Sequence, residues 1–252
     1  MNHELTALYF MWKREIIRFY RSKSRVVGSL AMPFFFMAIL GSSLGGAMNL
    51  PAGNGNYMEF LMPGILSMVL LFGSVFSGVI VIMDRQFGFL KETLVAPVSR
   101  TCIVFGKAAG GATTAVLQGL MMMGLAVALG ASVDLAALPL VIALMALISM
   151  SFVALGVAIG SVLEDMHGFQ LIMNFLVMPM FFLSGALFPL SSAPDIVRAL
   201  SFIDPLTYAV DAMRYVMLGQ SAMPIELSLG VLLAFLGITA TVSTYLFNRI
   251  ES

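Results

Sequence analysis

Charged side chains are scarce in this sequence. Only 10% of its 252 residues are Asp, Glu, Lys or Arg, while 60% are hydrophobic. Because soluble domains carry charge on about a quarter of their residues, this scarcity excludes a water-soluble globular protein. The 13 basic and 13 acidic residues cancel, so no general affinity for nucleic acid is expected. The single cysteine, Cys102, excludes an intrachain disulfide and a cysteine-based zinc site.

Motifs that would give the chain its own chemistry are also missing. No GxxxxGK[ST] sequence is present, so the chain lacks this loop for cradling nucleotide phosphates. His3 and His167 lie outside the apolar runs, which leaves Ser184 without a nearby base and argues against an intramembrane hydrolase. The 21 methionines are expected to fill gaps between helices rather than to bind a metal. We therefore expect no catalytic site, metal site or cofactor in this chain.

Ionisable residues avoid the centres of the apolar runs. Lys107 lies near the start of one run, and Glu164 and Asp165 follow the end of another. A charge at the centre of a bilayer costs about 3 kcal/mol, so ion-driven carriers keep one there only for function. Its absence argues against a carrier driven by protons or sodium. Gln118 and Asn174 are the strongest polar groups within the runs, and we expect them to form hydrogen bonds between helices.

Long apolar runs dominate the rest of the chain. A bilayer core needs about 20 apolar residues per helix, and six runs meet this length. The predicted spans are 26–48, 61–83, 103–130, 137–162, 170–190 and 228–248. The run after Arg25 is too long, and is followed by too many others, for a cleaved signal peptide. The sequence therefore predicts an all-α integral membrane protein with six transmembrane helices.

The distribution of Lys and Arg predicts the orientation of these spans. Six basic residues precede the first span, and four lie in the connection 84–107, whereas the connections 49–60 and 131–136 have none. Both termini and the connection 84–107 are therefore predicted to be cytoplasmic. The link 163–169 must then be cytoplasmic too, although it has no Lys or Arg.

The first 25 residues differ in pattern from the remainder, 26–252. Residues 4–20 have apolar side chains at helical spacing with basic residues around them. The apolar positions are Leu5, Leu8, Tyr9, Trp12, Ile16 and Phe19. This pattern predicts an amphipathic helix at the cytoplasmic interface of the bilayer. A basic anchor that only fixes orientation is an equal and compatible alternative.

The connection 84–100 contains a short charged segment between two apolar runs. Phe87, Leu90, Leu94 and Val98 recur at helical spacing, and Pro97 is expected to stop the helix before the next span. An apolar ridge flanked by charges suits docking in a groove of a partner protein. The alternative is a surface helix that remains at the membrane interface.

The connection after the fifth span carries helix-capping patterns. Ser192 and Asp195 have capping-box spacing for a short helix through about Leu200. Asp204 is expected to cap a second short helix that has Pro205 at its first position. The span itself contains Pro179, and Gly185 and Pro189 lie near its end, which predicts a kinked, re-entrant segment. An ordinary external loop is the alternative.

Two of these segments resemble the ABC-2-type permease family. Residues 84–100, "DRQFGFLKETLVAPVSR", resemble the family's cytoplasmic signature, in which an acidic–Arg pair, a Gly and a Lys/Glu turn precede Leu-x-x-x-Pro-x-Ser-Arg. Residues 181–219, with Ser-Gly, Phe-Pro and Asp-Pro-Leu-Thr-Tyr elements, resemble its external segment. The daunorubicin-resistance-type and nodulation-type branches are the most similar. The resemblance implies an ABC-2, type V exporter-like fold.

The resemblance also implies site residues. It places a coupling helix at 84–100 that docks on an ATP-binding subunit, and external helices at 190–219. The ATPase-coupling residues would be Arg85, Phe87, Gly88, Leu90, Lys91, Glu92, Leu94, Pro97 and Arg100. Glu164 and Asp165 would form a second cytoplasmic contact. The external gate would comprise Ser184, Gly185, Pro189, Asp204, Pro205 and Tyr208.

Partners follow from the same resemblance. Two copies of an ABC ATP-binding subunit would hold ATP and Mg²⁺, and a second permease half, most simply in a homodimer, would complete the path. The complex would lie in the plasma or inner membrane of a prokaryotic cell and move its cargo outwards.

The cargo class is suggested by aromatic composition. The chain has 20 Phe, six Tyr and one Trp, and sugar paths commonly use Tyr and Trp. An amphiphilic or hydrophobic drug-like or lipid-like cargo is therefore favoured. Export of a polysaccharide or lipo-oligosaccharide, and a non-transporting sensor or channel subunit, are the alternatives. The residues suggested for the path are Phe72, Phe76, Asn174 and Phe181.

Overall fold

The regular structure is helical throughout the part of the chain that the structure describes. This computed structural model describes residues 3–44, 57–89 and 99–249. The helices of the first half are α1 (His3–Arg21), α2 (Lys23–Leu44), α3 (Tyr57–Val75), α4 (Ser77–Gln86) and α5 (Arg100–Ala128). Those of the second half are α6 (Leu138–Val162), α7 (Met166–Ile172), α8 (Met178–Leu183), α9 (Asp195–Ser201), α10 (Pro205–Leu218) and α11 (Ile225–Asn248).

Among the described residues, six helical segments are long and apolar enough to cross a membrane. They are Val26–Ser43, Tyr57–Gln86, Arg100–Ala128, Leu138–Val162, Met166–Leu183 and Ile225–Asn248. Each overlaps one predicted span, so the all-α, six-span class is confirmed and the chain is a multi-pass membrane protein. The largest differences lie in the second span, which is longer than predicted, and in the fifth, which ends earlier.

The second span is built from two helices that meet at Phe76. The Ser77 hydroxyl donates to the Ser74 carbonyl at 2.6 Å, and the Val79 amide bonds the carbonyl of Phe76, at 3.1 Å, three residues back. Side-chain bonds of this kind compete with the helical ladder and bend helices. The break therefore separates α4, which leads to the charged connection, from the deeply buried α3.

Glycines bring α4 and α6 into backbone contact. A Cβ atom on Gly78 would lie 2.1 Å from the carbonyl oxygen of Gly156, and one on Gly160 would lie 2.3 Å from that of Gly78. Helices approach this closely in membranes only where small residues line both surfaces. The Gly156-x-x-x-Gly160 pattern thus serves packing within the chain.

The fifth span is irregular, as predicted from Pro179. A π-helical turn, Met173–Val177, separates α7 from α8, and it precedes the proline, which cannot donate a backbone hydrogen bond. After α8 the chain turns back at Gly185, whose φ of +71° suits glycine. This turn rests on α3, because a Cβ on Gly64 would lie 2.1 Å from the carbonyl oxygen of Ala186.

Short helices follow this turn. A 3₁₀ turn, Leu190–Ser192, precedes α9. The capping box predicted at Ser192 is wrong: Pro194 is the N-cap residue of α9 and supplies no side-chain bond, because Ser192 is held in the preceding turn. The predicted cap of α10 is present, since the Asp204 carboxylate accepts from the Leu206 amide at 2.9 Å and Pro205 begins the helix.

Helix α1 packs along the beginning of α5. The Cys102 thiol donates to the Glu4 carbonyl at 3.0 Å, and the Trp12 indole donates to the Thr113 hydroxyl at 3.1 Å. The contacts advance in the same direction along both helices over 11 residues of α5, or about 16 Å. Helix α1 therefore runs alongside α5 in the same direction over this length and does not cross it at a single point. Its depth in a bilayer stays a prediction.

Candidate functional site

Three basic side chains converge on the Asp84 carboxylate in the last turn of α4. Arg14 of α1 donates to Oδ2 at 2.6 Å, and Arg18 donates to Oδ1 at 3.4 Å. Lys107 of α5 also donates to Oδ2. Asp84 and Lys107 are both buried. This cluster, which we call the Asp84 node, fastens α1, α4 and α5 together at one end of the bundle, called here the α1 end.

Glu15 adds a second carboxylate to the node. It is only 5% exposed, and its Oε1 lies 3.6 Å from Arg14 Nη2 and 3.9 Å from Arg18 Nη1. Three cations (Arg14, Arg18 and Lys107) therefore face two carboxylates, which leaves the node with one excess positive charge. A buried pair is costly to break, because the remaining charge is left without compensation.

A second ion pair at the α1 end joins the last turn of α4 to the link between α6 and α7. Arg85 Nη2 lies 3.2 Å from the carboxylate of Glu164, and the Gln86 side-chain amide donates to the Glu164 backbone carbonyl at 3.0 Å. Asp165 caps α7 by accepting from the Gly168 amide at 2.7 Å. Glu164 was predicted to form a second cytoplasmic contact, and Arg85 to be one of the ATPase-coupling residues. The structure brings these two side chains into direct contact.

The bounds predicted for a coupling helix at 84–100 need correction. Residues 84–86 belong to α4, whose last residue is Gln86. Phe87 is its C-cap residue, and Gly88 follows with a φ of +79°. At the other end Ser99 caps α5 by accepting from the Cys102 amide at 3.3 Å, and Arg100 donates to the Asn248 carbonyl at 2.8 Å. The coupling residues that lie outside the described part of the chain are Leu90, Lys91, Glu92, Leu94 and Pro97.

A cleft of about 630 Å³ lies beside the Asp84 node. Phe72 and Phe76, both suggested for the cargo path, line it. Phe181 is buried and contacts the edge of the Phe72 ring, with centroids 6.2 Å apart. Asn174 is exposed on the π-helical turn and accepts from Gln170 at 3.3 Å. Two of the four suggested path residues thus line the cleft.

The predicted gate residues lie at the opposite end of the bundle. The Ser184 hydroxyl donates to the Phe181 carbonyl at 2.7 Å and accepts from the Ala186 amide at 3.3 Å. Tyr208 of α10 donates to the Phe202 carbonyl at 2.8 Å. Pro189 is the N-cap residue of the 3₁₀ turn. These bonds stabilise the turns around α8 and α10.

Arg214 connects the turn at Gly185 to α10. Its Nη2 donates to the Gly185 carbonyl at 2.7 Å, and its guanidinium stacks 3.9 Å above the Phe60 ring centroid. Burial lowers the pKa of Arg214 to about 10, so the side chain stays charged at neutral pH. Burial also raises the pKa of the Asp204 carboxyl to about 7, against the opposing effect of the bonds from Leu206 and Thr207.

Sequence reasoning missed the Asp84 node. From the sequence, Arg14 and Arg18 were interpreted only as positive charges that set the orientation of the spans. Lys107 was interpreted only as a charged residue near the end of a span. A usable indication was present: Asp84 and Lys107 stand at the neighbouring ends of consecutive spans, where opposite charges can pair. Arg214 gave no comparable indication, since its partners are backbone carbonyls and a ring.

The sequence comparisons address the family directly. Residues 6–218 match the family described as ABC-2 type transporter. The chain belongs to the ABC-2 type transporter family. It is 28% identical to Nodulation protein J of Rhizobium leguminosarum bv. viciae over 96% of this chain and 91% of that protein. It is 25% identical to the inner membrane transport permease YadH of Escherichia coli K12 over 91% of this chain and 90% of that protein.

A second nodulation protein extends this group. Nodulation protein J of Rhizobium meliloti is 26% identical over 96% of this chain and 90% of that protein. The matches cover nearly all of this ABC-2 permease, including the Asp84 node and the turn at Gly185. The permease is therefore a membrane subunit for transport rather than a catalytic enzyme, and its family implies an ABC ATP-binding subunit as partner.

Proposed function

We propose that this ABC-2 permease is the membrane half of an exporter that is driven by ATP hydrolysis on a separate subunit. The observation that carries the proposal is the Asp84 node, which fastens α1 and α5 to the helix that enters the charged connection. A push on residues 87–99 would reach both helices through buried ion pairs. ATP and Mg²⁺ would be held by the partner, because this sequence has no GxxxxGK[ST] loop.

The docking element is proposed to be the segment with Leu90, Lys91, Glu92, Leu94 and Pro97, supported by Arg85 and Glu164. Two ATP-binding subunits and two permease halves, most simply identical ones, would form the complex. It would lie in the plasma or inner membrane of a prokaryotic cell, with both termini cytoplasmic. The basic residues that precede the first span and lie in 84–107 support this orientation.

The proposed cargo is an amphiphilic or hydrophobic compound. The apolar lining of the cleft, which includes Phe72 and Phe76, supports this class. A lipo-oligosaccharide is the second candidate, because the charged side chains at the α1 end of the cleft also suit a polar sugar headgroup. The gate would be formed by the turn at Gly185 with α10, which Arg214 connects.

Reconstitution tests this function. The permease and its ATP-binding subunit would be placed in vesicles, and the movement of a fluorescent amphiphile would be followed with ATP or with a non-hydrolysable analogue. We expect movement with ATP only. Movement without nucleotide would indicate a channel, and ATP hydrolysis without movement of any amphiphile or lipo-oligosaccharide would indicate a sensor. Either result would contradict the proposal.

A further inference from the structure

The cleft beside the Asp84 node is long and has one charged end. Along α3 and α4 its wall runs from Met83 to Met68, 15 residues or about 22 Å of helix. Glu15 and Arg18 line the α1 end of this wall. Half of a bilayer core is about 15 Å deep, so the cleft is long enough to hold an extended hydrocarbon chain.

The polar groups further along the cleft have partners within the protein. The Gln118 side-chain amide donates to the Ser29 hydroxyl at 3.0 Å, and that hydroxyl donates to the Val26 carbonyl at 2.9 Å. The Thr114 hydroxyl donates to the Gly111 carbonyl at 2.8 Å. Each of these groups already makes a hydrogen bond within the protein, and the rest of the lining there is mostly apolar, so this part of the cleft suits an apolar tail.

The charged end differs, because three of its polar atoms lack a hydrogen bond within the described part of the chain. Arg18 Nη1, Arg14 Nε and Glu15 Oε1 are buried and have no hydrogen-bond partner among the described residues. Buried polar groups in proteins are nearly always bonded, so unsatisfied ones call for an explanation. Arg18 and Glu15 line the cleft, and Arg18 Nη1 lies 3.9 Å from Glu15 Oε1, too far for a hydrogen bond. A ligand headgroup with both an acceptor and a donor could satisfy the two atoms.

The opening of the cleft faces the surroundings of the bundle. Gly28 and Met32 of α2 are exposed, and so are Phe76, at 48%, and Met166 at the start of α7. A ligand could therefore enter sideways between α2 and α7. A Cβ on Gly28 would meet no atom of the described residues within 4 Å, so this position is open at the rim of the cleft.

We propose that the cleft binds an anionic amphiphile with a phosphate and a hydroxyl in its headgroup. The phosphate oxygens accept from Arg18, and they offset the single excess positive charge of the node. The hydroxyl donates to Glu15 Oε1, and the tail lies along Phe72 and Met68. The headgroup site deepens the proposed function, because it specifies the headgroup chemistry of the cargo. Binding at this site does not depend on export, but the claim that the bound amphiphile is transported rests on the proposed function.

Binding can be measured on the purified permease alone, without ATP. The probes are lysophosphatidylglycerol and lysophosphatidylcholine with the same tail, since only the first has a net negative charge and headgroup hydroxyls. We expect lysophosphatidylglycerol to bind about tenfold more tightly. Arg18→Gln should remove this preference, because it removes the charged donor. Equal binding of the two probes to the native permease would overturn the proposal.

Matched variants separate the headgroup site from folding. Arg21→Gln removes the same charge from an exposed position of α1 and should leave the preference intact. Gly28→Leu should weaken the binding of both probes, because the leucine fills the rim. Gly230→Leu should not, although a Cβ at Gly230 likewise meets no atom of the described residues within 4 Å. Unchanged binding in Gly28→Leu would overturn the assignment to this cleft, even if Arg18→Gln failed to fold.

Two further arms identify the occupant. Native mass spectrometry of permease in nanodiscs that contain phosphatidylglycerol would show whether the bilayer lipid occupies the site and whether lysophosphatidylglycerol displaces it. Displacement assigns the site to a freely exchanging amphiphile, and retention assigns it to a resident lipid. In a Cys102→Ser background, dimer crosslinking through Met32→Cys that persists with saturating lysophosphatidylglycerol would instead place a second copy in the cleft and overturn the proposal.

Transport and binding can fail separately. If lysophosphatidylglycerol binds through Arg18 but is not moved with ATP, the site stands and the export proposal fails. If an amphiphile is exported while Arg18→Gln and Gly28→Leu leave binding unchanged, export stands and this site is wrong.

Discussion

The Lys107 ammonium contacts the Asp84 carboxylate inside the bundle, where both side chains are buried. This pair joins the beginning of α5 to the last turn of α4. The intervening connection, 87–99, is thus held at both ends by the same contact. A force on the connection would act on the two helices together.

Asp84→Asn should therefore destabilise the protein strongly. Removing one partner of a buried pair leaves the other charge uncompensated, which costs about 3–5 kcal/mol. Arg14 would also lose its bond to Oδ2. The free energy of unfolding in mixed micelles, titrated with a denaturing detergent, measures the effect. Asp195→Asn is the control, because Asp195 is 99% exposed, and it should change stability by less than about 0.5 kcal/mol.

A double variant tests the physical reason. Asp84→Leu combined with Lys107→Met removes both buried charges, and apolar replacements of buried pairs are often neutral. The double variant should be more stable than Asp84→Asn alone. If the two are equally unstable, the cost does not come from the unpaired ammonium but from lost packing or from Arg14 and Arg18, which lose Asp84 in both variants.

Glu164→Gln should behave differently from Asp84→Asn. The Glu164 side chain is 78% exposed in its pair with Arg85, and exposed pairs contribute about 0–1 kcal/mol. We therefore expect nearly unchanged stability. If Glu164 also positions the docking segment, charge reversal at Arg85 should impair ATP-driven transport, and the exchanged pair Arg85→Glu with Glu164→Arg should restore part of it. No impairment by Arg85→Glu would contradict this positioning role.

Two glycines of the spans predict opposite responses to alanine. Gly78→Ala would place a Cβ 2.1 Å from the Gly156 carbonyl oxygen, which forces α4 and α6 apart and costs about 1–3 kcal/mol. At Gly124 an alanine Cβ meets no atom of the described residues within 4 Å. Gly124→Ala should therefore be neutral or stabilising, because alanine favours a helix over glycine by up to about 1 kcal/mol. Thermal unfolding of both variants compares them. Equal stabilities would contradict the close approach.

The sequence allowed prediction of features that depend on local pattern. Apolar run length gave six spans, and Asp204 followed by Pro205 gave the cap of α10. Features that depend on tertiary partners were not predictable in the same way. The break at Phe76 depends on a hydrogen bond from the Ser77 hydroxyl to the Ser74 carbonyl, which the sequence pattern does not indicate. The Asp84 node forms only where three helices meet. The capping box at Ser192 was wrong because its spacing also suits a 3₁₀ turn.

The Asp204 carboxyl predicts a pH dependence of stability. Burial raises its pKa to about 7, above the ordinary unfolded value, so the folded state binds more protons between about pH 4 and 7. The contribution of Asp204 to the free energy of unfolding is full below about pH 4 and is lost as pH rises through about 7, so stability falls across this range. Asp204→Asn, which keeps a capping side chain, should remove this slope. A slope that persists in this variant would assign the titration to another group; Asp195→Asn is the control.

Docking of the ATP-binding subunit on the segment that contains Leu94 can be tested by copurification. The native complex would be isolated in mild detergent, after crosslinking in the membrane, from cells that express either Leu94→Asp or a matched control. The control is Ile203→Asp, an 80% exposed apolar residue at the opposite end of the bundle. We expect Leu94→Asp to lose the ATP-binding subunit and Ile203→Asp to retain it at the native stoichiometry. Full retention by Leu94→Asp would show that Leu94 does not take part in docking.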